Sequence, residues 1–500
     1  MIRTRAVSRR AVLAWGGTSI AAVAVAACSS AASTPTSVPA AAASQAPAAA
    51  PTQAPAAPTQ ASAAAPTAAA TAAPASAPTT APAPTTAPAA ASQPASGTSV
   101  SLTFFYPVGV AGPLSKLIDG MTGKFNTAQN GAIKVTPVYS GDYLGTLSKV
   151  QTAIQGGKPP DVAVINSAAI FTLQDMGAII PLDAMAKATD PQLADDFFPA
   201  FLQDSKLNGA LMSVPFQRST LVLYYNPDLL KSSGLGDKAP QTWDEVVSFA
   251  QKLTQKSGDT VTRWGVGFPS SGSSYWEFQA LAIEAGQNVM GDVGNKVFFN
   301  SDASVTALQW LIDLAQKHKV MQSGTVDWGN LPTDFAGEKT AMIYHSTGSL
   351  SFIAKQSKFT VGVAFDPKNK QFGSPTGGGN MYIFKGIPQA NQDAAWKFVS
   401  DMCSAASLAQ WSIDTGYVAP RKSCYDVQVY KDYTAKFPQA LVARDQLQYA
   451  QRELGTHQMA QIQTILSNGI QAALTGKQAP KAALDAAQKQ ADQLLSSFSN

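Results

Sequence analysis

The sequence is poor in the residues that usually carry reaction chemistry: among 500 residues there are three cysteines and three histidines. The histidines, His318, His345 and His457, have no partner at metal-ligand spacing, and neither His-Glu-x-x-His nor Cys-x-x-Cys occurs, so no metal is expected. Gly337-Glu338-Lys339-Thr340 ends like a phosphate loop but lacks the upstream glycine. Gly377-Gly378-Gly379 is no dinucleotide fingerprint, and no Gly-x-Ser-x-Gly elbow is present. No catalytic residue and no cofactor is therefore nominated. A secreted glycoside-acting enzyme stays as the alternative, because the paired carboxylates of a glycosidase leave no local signature.

Charge is absent from a long stretch near the N-terminus, with no charged residue between Arg10 and Lys116. Overall, 36 Lys and Arg against 32 Asp and Glu give a formal net charge of +4, too small at this length to suggest a nucleic-acid partner. Long apolar runs are missing after the first, Ala11 to Ala27, which is itself short of the roughly 20 residues a membrane span needs. That run follows Ser8-Arg9-Arg10 and ends in Val25-Ala26-Ala27-Cys28. It resembles a twin-arginine export signal closing in a bacterial lipobox, which implies a signal peptide over 1–27, lipidation of Cys28, and a chain held on the outer face of the cytoplasmic membrane. Residues 28–99 are Ala, Pro, Ser and Thr with a few Gln, a composition that buries too little apolar surface to fold and reads as a disordered tether.

From about Val100 onward, some 400 residues suffice for two lobes. Short apolar runs alternate there with helical patterns, as in an α/β sheet. Val100–Tyr106, Ile133–Tyr139 and Asp161–Ile165 read as strands, and Leu221–Tyr225 as a strand buried on both faces. Thr242-Trp243-Asp244-Glu245 is a capping box. Two helices are predicted near the C-terminus, one over Met459–Leu474 and one from Pro480. With Cys28 lipidated, Cys403 and Cys424 remain, as a disulfide or as two buried thiols.

Five stretches appear in a telling order: "VPFQRSTLVLYYNPDLL", "PQTWDEVVSFAQKL", "FAGEKTAMIYHSTGS", "TGGGNMYIF" and "TGYVAP". Together they resemble the solute-binding proteins of bacterial ABC importers, the family-one sugar type. The resemblance implies a two-lobed periplasmic-binding-protein fold (type II) with three interlobe crossings, the first starting at Pro215, and a ligand cleft between the lobes. It places lobe one at 100–214 plus 334–377 and lobe two at 215–333 plus 378–500. It further implies a monomer without enzyme activity, delivering a small-molecule sugar or polyol to the transmembrane subunits of an ABC permease. Trp276 in "SSYWEF" and Tyr417 in "DTGYVAP", read as loop aromatics, suit the apolar faces of a sugar, whereas Tyr143, Ser219, Ser346 and the backbone at Gly378 suit its hydroxyls. Tyr106, Asn166, Ser167, Arg218 and Asn380 complete the expected contacts. Two departures bear on the ligand. Asn166-Ser167 stands where the glycerol-phosphate branch has an acidic residue, and Glu453 stands where that branch has an Arg before Leu-Gly. A carboxylate there repels a phosphate that a guanidinium would clamp, so phosphate is disfavoured, with Arg452 or Arg218 as possible substitutes.

Overall fold

The computed structural model describes residues 99–498, so the expected signal peptide, Cys28 and most of the tether lie outside the described residues. Eight strands form the main sheet: β1 Val100–Tyr106, β2 Ile133–Tyr139, β3 Val162–Asn166, β4 Val214–Tyr225, β5 Met342–Ser346, β6 Gly362–Ala364, β7 Ser374–Ile383 and β8 Ala450–Gln451. Their order is β6-β4-β7-β3-β1-β2, with β5 also on β4 and β8 on β7. β2, β1 and β3 are parallel, as strands joined through helices must be, whereas β7 runs antiparallel to both β3 and β4.

β4 explains how one sheet serves two lobes. Its first half, from Val214 to Thr220, pairs with β7, and its second half, Leu221 to Tyr225, pairs with β5 and β6. In that second half Leu221 and Leu223 enter one apolar cluster while Val222 and Tyr224 enter another, which is why the stretch shows no polar alternation. β7 makes the reverse passage, pairing with β8 and β4 at its start and with β3 through Gly379–Ile383. A third passage precedes β8, from Tyr430 in the cluster of Phe104 and Val164 to Ala443 and Leu447 in that of Val222 and Tyr224.

The expected lobe boundaries meet a different partition of the chain. Residues 334–377, expected with the first lobe, carry β5 and β6, which bond to the second half of β4, and Phe335, Ile343 and Ile353 share a cluster with Val222 and Tyr224. Residues 378–500 divide: Met381, Trp396, Phe398 and Tyr430 pack with Phe104 and Val164 of the first lobe, whereas Leu454, Leu466 and Leu484 pack with Leu221 and Trp243 of the second. Strand pairing thus groups chain segments that sequence order separates.

Local signals perform as their chemistry requires. Thr242 accepts from the Glu245 amide at 3.2 Å, and the Glu245 carboxylate accepts from the Gln241 amide at 2.6 Å, closing the box one residue early. The helices Met459–Leu474 and Pro480–Leu495 sit where the sequence puts them. Cys403 and Cys424 are buried free thiols. Among the described residues no helix is long and apolar enough to cross a membrane.

Candidate ligand-binding cleft

A cavity of ≈ 240 Å³ lies where the crossing strands meet the strand ends of both lobes. Its floor is Ser219 of β4 with Gly377 and Gly378 of β7. Two corners of like construction face it. β3 ends at Asn166, whose Oδ1 accepts from the Ala168 amide at 2.7 Å and starts a 3-10 turn. β5 ends at Ser346, whose Oγ accepts from the Gly348 amide at 3.1 Å and starts another. Each cap spends an acceptor on its own backbone and so fixes the side chain at the cavity wall.

Aromatic rings make most of the remaining wall: Tyr143, Tyr275, Trp276, Trp328 and Tyr417 all line the cavity. Tyr143 opens the helix Tyr143–Gln155, capped by Asp142, and its hydroxyl donates to Gln217 Oε1 at 3.0 Å. Tyr417 stacks on Trp411, ring centroids 5.8 Å apart, and its hydroxyl lies 3.5 Å from that of Tyr143. Trp276 belongs to the helix Ser274–Glu284, not to a loop, and its Nε1 donates to the Thr376 carbonyl at 2.9 Å. Its ring packs so close to β7 that a Cβ at Gly377 would lie 2.6 Å from Cζ2. Gly378, at φ +95°, turns its backbone into the floor, and a Cβ there would meet the Gln217 carbonyl at 1.7 Å. Trp276 and Tyr417, expected free of burial on loops, are 4% and 2% exposed, locked by these bonds and stacks.

Four expected contacts stand outside the cavity wall. Tyr106 shares the buried face of β1 with Leu102 and Phe104, and its hydroxyl donates to Asp119 at 2.9 Å. Ser167 is fully buried behind the Asn166 corner. Arg218 and Asn380 point to the rear of the crossing strands, where Arg218 Nη1 donates to Asn380 Oδ1 at 3.1 Å. There Asp204 Oδ1 accepts from Arg452 Nε at 2.8 Å, while Oδ2 accepts from Thr376 Oγ1 at 3.3 Å and lies 4.0 Å from Arg218 Nη2. The second half of the Asn380 amide donates to the Asp204 carbonyl and to Ser205 and Ser213. Asp204 therefore ties β4, β7 and the segment after β8 together. Tyr143, Asn166, Ser219, Trp276, Ser346, Gly378 and Tyr417 do line the cavity.

Sequence reasoning missed Tyr275, Trp328 and Gln463, which also line it. Glu453, singled out only for what it replaces, is part of the wall. Its Oε1 accepts from Asn166 Nδ2 at 3.0 Å and from the Tyr275 hydroxyl at 2.8 Å, and its Oε2 has no partner. Burial pushes its carboxyl up to about 7 against those two bonds, which stabilise the anion. Behind Trp328, Glu277 accepts from the indole Nε1, and burial raises that acid to about 8. His345 lies under Trp328 and donates from Nε2 to its carbonyl at 3.0 Å, while burial lowers the imidazole to about 4 and keeps it neutral.

Residues 121–439, more than half of the chain, match the family described as bacterial extracellular solute-binding protein. The chain belongs to that family. Among relatives of this solute-binding protein, the sn-glycerol-3-phosphate-binding periplasmic protein UgpB of Escherichia coli strain K12 is 28% identical over 405 residues, covering 77% of this chain and 91% of that one. UgpB from Mycobacterium tuberculosis, solved with glycerophosphocholine, superposes with a TM-score of 0.70 at 24% identity, covering 80% of this chain and 99% of that one. Maltose-bound MalE3 of T. maritima gives 0.69 at 22%, covering 79% and 100%. These solved neighbours share with this solute-binding protein the two-lobed α/β architecture of the periplasmic binding proteins.

Proposed function

We propose that this solute-binding protein is the receptor of an ABC importer and takes a hydroxyl-rich small molecule, a carbohydrate or polyol, into the cavity at the crossings. The observation that supports this most is the wall itself. Five aromatic rings offer apolar faces, while Ser219, Ser346, Asn166 and the backbone at Gly378 offer hydrogen bonds, the combination a sugar requires. A glycerol phosphate is the second reading, supported by the ligands named for the UgpB relatives. Against it, no Lys or Arg lines the cavity among the described residues, and Glu453 does. The passages at β4, at β7 and before β8 are taken as the hinge about which the lobes close, and the leader as a lipid anchor through Cys28. Intact mass of the native protein tests the anchor: a mature N-terminus other than Cys28, or no acyl mass, removes it.

Calorimetry with neutral sugars, polyols and glycerol phosphates side by side tests the ligand class. A neutral ligand is expected to bind more tightly than its phosphorylated counterpart. Trp276→Ala is expected to weaken binding at least about tenfold, since a decade is only about 1.4 kcal/mol and a buried ring contact is worth that or more. Tighter binding of the phosphate, with Trp276→Ala harmless, overturns the reading.

A further inference from the structure

The cavity has a charge pattern that a sugar alone does not call for. Its wall holds two carboxylates, Asp142 and Glu453, and among the described residues no lysine, arginine or histidine. Asp142 is engaged in capping its helix through the Gly145 amide. Glu453 is the unusual one: it is 2% exposed, one oxygen is held by Asn166 and Tyr275, and the other is without a partner. A buried carboxyl oxygen left unpartnered is costly unless a ligand group completes it. The nearby guanidiniums, Arg218 and Arg452, are turned to the rear, where Arg218 bonds Asn380 and Arg452 bonds Asp204, and neither bonds Glu453, although the Arg218 charge acts on it from behind.

Around Glu453 stand Tyr143, Tyr275, Trp276, Trp328 and Tyr417. The face of an aromatic ring is electron-rich and attracts cations, most of all when both are removed from water. A wall of five rings and one under-satisfied carboxyl, without a competing side-chain cation, has the composition of a receptor for an organic ammonium ion. Neutral hydroxyls can be bound by such a wall, but they make no use of the unpartnered oxygen as an anion.

We propose that the group seated beside Glu453 in this cleft is a positively charged amine or quaternary ammonium carried by the hydroxylated ligand, with Glu453 Oε2 as its counter-ion and the surrounding rings as its cage. This rests on the reading of the cavity as the solute site and names the charge of the solute. It also separates this chain from a phosphate receptor, whose anion would meet a carboxylate at that point.

Binding of such a cation is linked to ionisation of Glu453. The groups facing that carboxyl are Asn166, Tyr143, Tyr275 and Glu277 around the cavity and Asp204 and Arg218 behind it. Of these, burial holds the tyrosines protonated and raises Glu277 as well, so ligand charge is met chiefly by Glu453.

The test compares two probes of one shape, choline and its uncharged carbon isostere 3,3-dimethylbutan-1-ol, by calorimetry on the intact protein, with glucose and glycerol 3-phosphate alongside. Choline is expected to bind at least tenfold more tightly than the isostere and to gain affinity as pH rises from 6 to 8, since its own charge does not titrate. Glu453→Gln is expected to erase both the preference and the pH dependence. The wild-type comparison stands even if that variant folds poorly. Equal affinity for the two probes, or glycerol 3-phosphate as the tightest ligand, overturns the inference. If glucose binds and the ammonium preference is absent, the receptor reading stands and this inference falls. If none of the four binds, both fall.

Discussion

The two faces of the crossing strands carry polar side chains of opposite purpose. On the front, Ser219, Gly378 and Glu453 open onto the cavity. On the rear, Arg218 and Arg452, each one residue from Ser219 and Glu453, and Asn380, two residues from Gly378 past a bulge, converge on Asp204. Strand geometry makes this possible, because successive side chains project to opposite faces. The lesson is that the same short segments supply both the cavity wall and a cluster of bonds behind it. At the front Glu453 keeps one oxygen without a partner, whereas the rear groups bond to one another and leave spare donors only on the two guanidiniums.

Breaking the rear face should have the largest effect. Asp204→Ala would leave Arg218, which is 0% exposed, and Arg452 without their carboxylate. Removing one partner of a buried ion pair costs about 3–5 kcal/mol. Denaturant unfolding should show that loss as a lower midpoint. A change under about 1 kcal/mol would mean that β4, β7 and the segment after β8 are held together by packing alone.

The front face should respond to pH instead. Glu453 rises from 4.5 to about 7 and Glu277 from 4.5 to about 8, in both cases because burial disfavours the charged form. Each folded-state acid binds its proton more tightly than the unfolded chain does. Their stabilising contribution is therefore complete below about pH 4.5 and is lost as pH climbs through 7 and 8. Ligand-free thermal melts from pH 5 to 8.5 should fall in midpoint across that window, and the double change Glu277→Gln with Glu453→Gln should flatten the curve. An unaltered slope in the double variant would locate the pH dependence elsewhere.

The smallest effect sharpens the contrast at a single atom. Tyr417→Phe removes the hydroxyl 3.5 Å from Tyr143 while the ring keeps its stack on Trp411. Stability should change by no more than about 1 kcal/mol, as for one neutral hydrogen bond. Ligand affinity should drop more than stability does if that hydroxyl meets the ligand, and comparing melts with and without ligand measures both.

How far the sequence could foresee these faces depends on what alternation each element shows. β1 and β2 were legible because Leu102, Phe104 and Tyr106 alternate with exposed neighbours, and the same alternation assigns Tyr106 to the core although the family resemblance suggested a contact. β4 gives no such mark: every residue from Val214 to Tyr224 is buried, so nothing in the sequence tells Arg218 from Ser219 by face. The helix Ser274–Glu284 is buried along its whole length and shows no polar stripe, which is why Trp276 read as a loop residue. Glu453 was noticed only as a replacement. That its neighbours would be Asn166, 287 positions earlier, and Tyr275, 178 positions earlier, is long-range information carried by the fold.

Arg452 and Glu453 are adjacent in the chain, yet the guanidinium is bonded to Asp204 at the rear while the carboxyl belongs to the cavity wall. This short segment thus carries opposite charge on its two sides. Inserting one residue before the pair would move Arg452 to the cavity side and Gln451 to the rear, whereas deleting one would move Glu453 to the rear and Leu454 to the cavity side. Reversing the charge of the wall at this point thus takes one insertion in one short segment, and it removes Arg452 from the rear cluster.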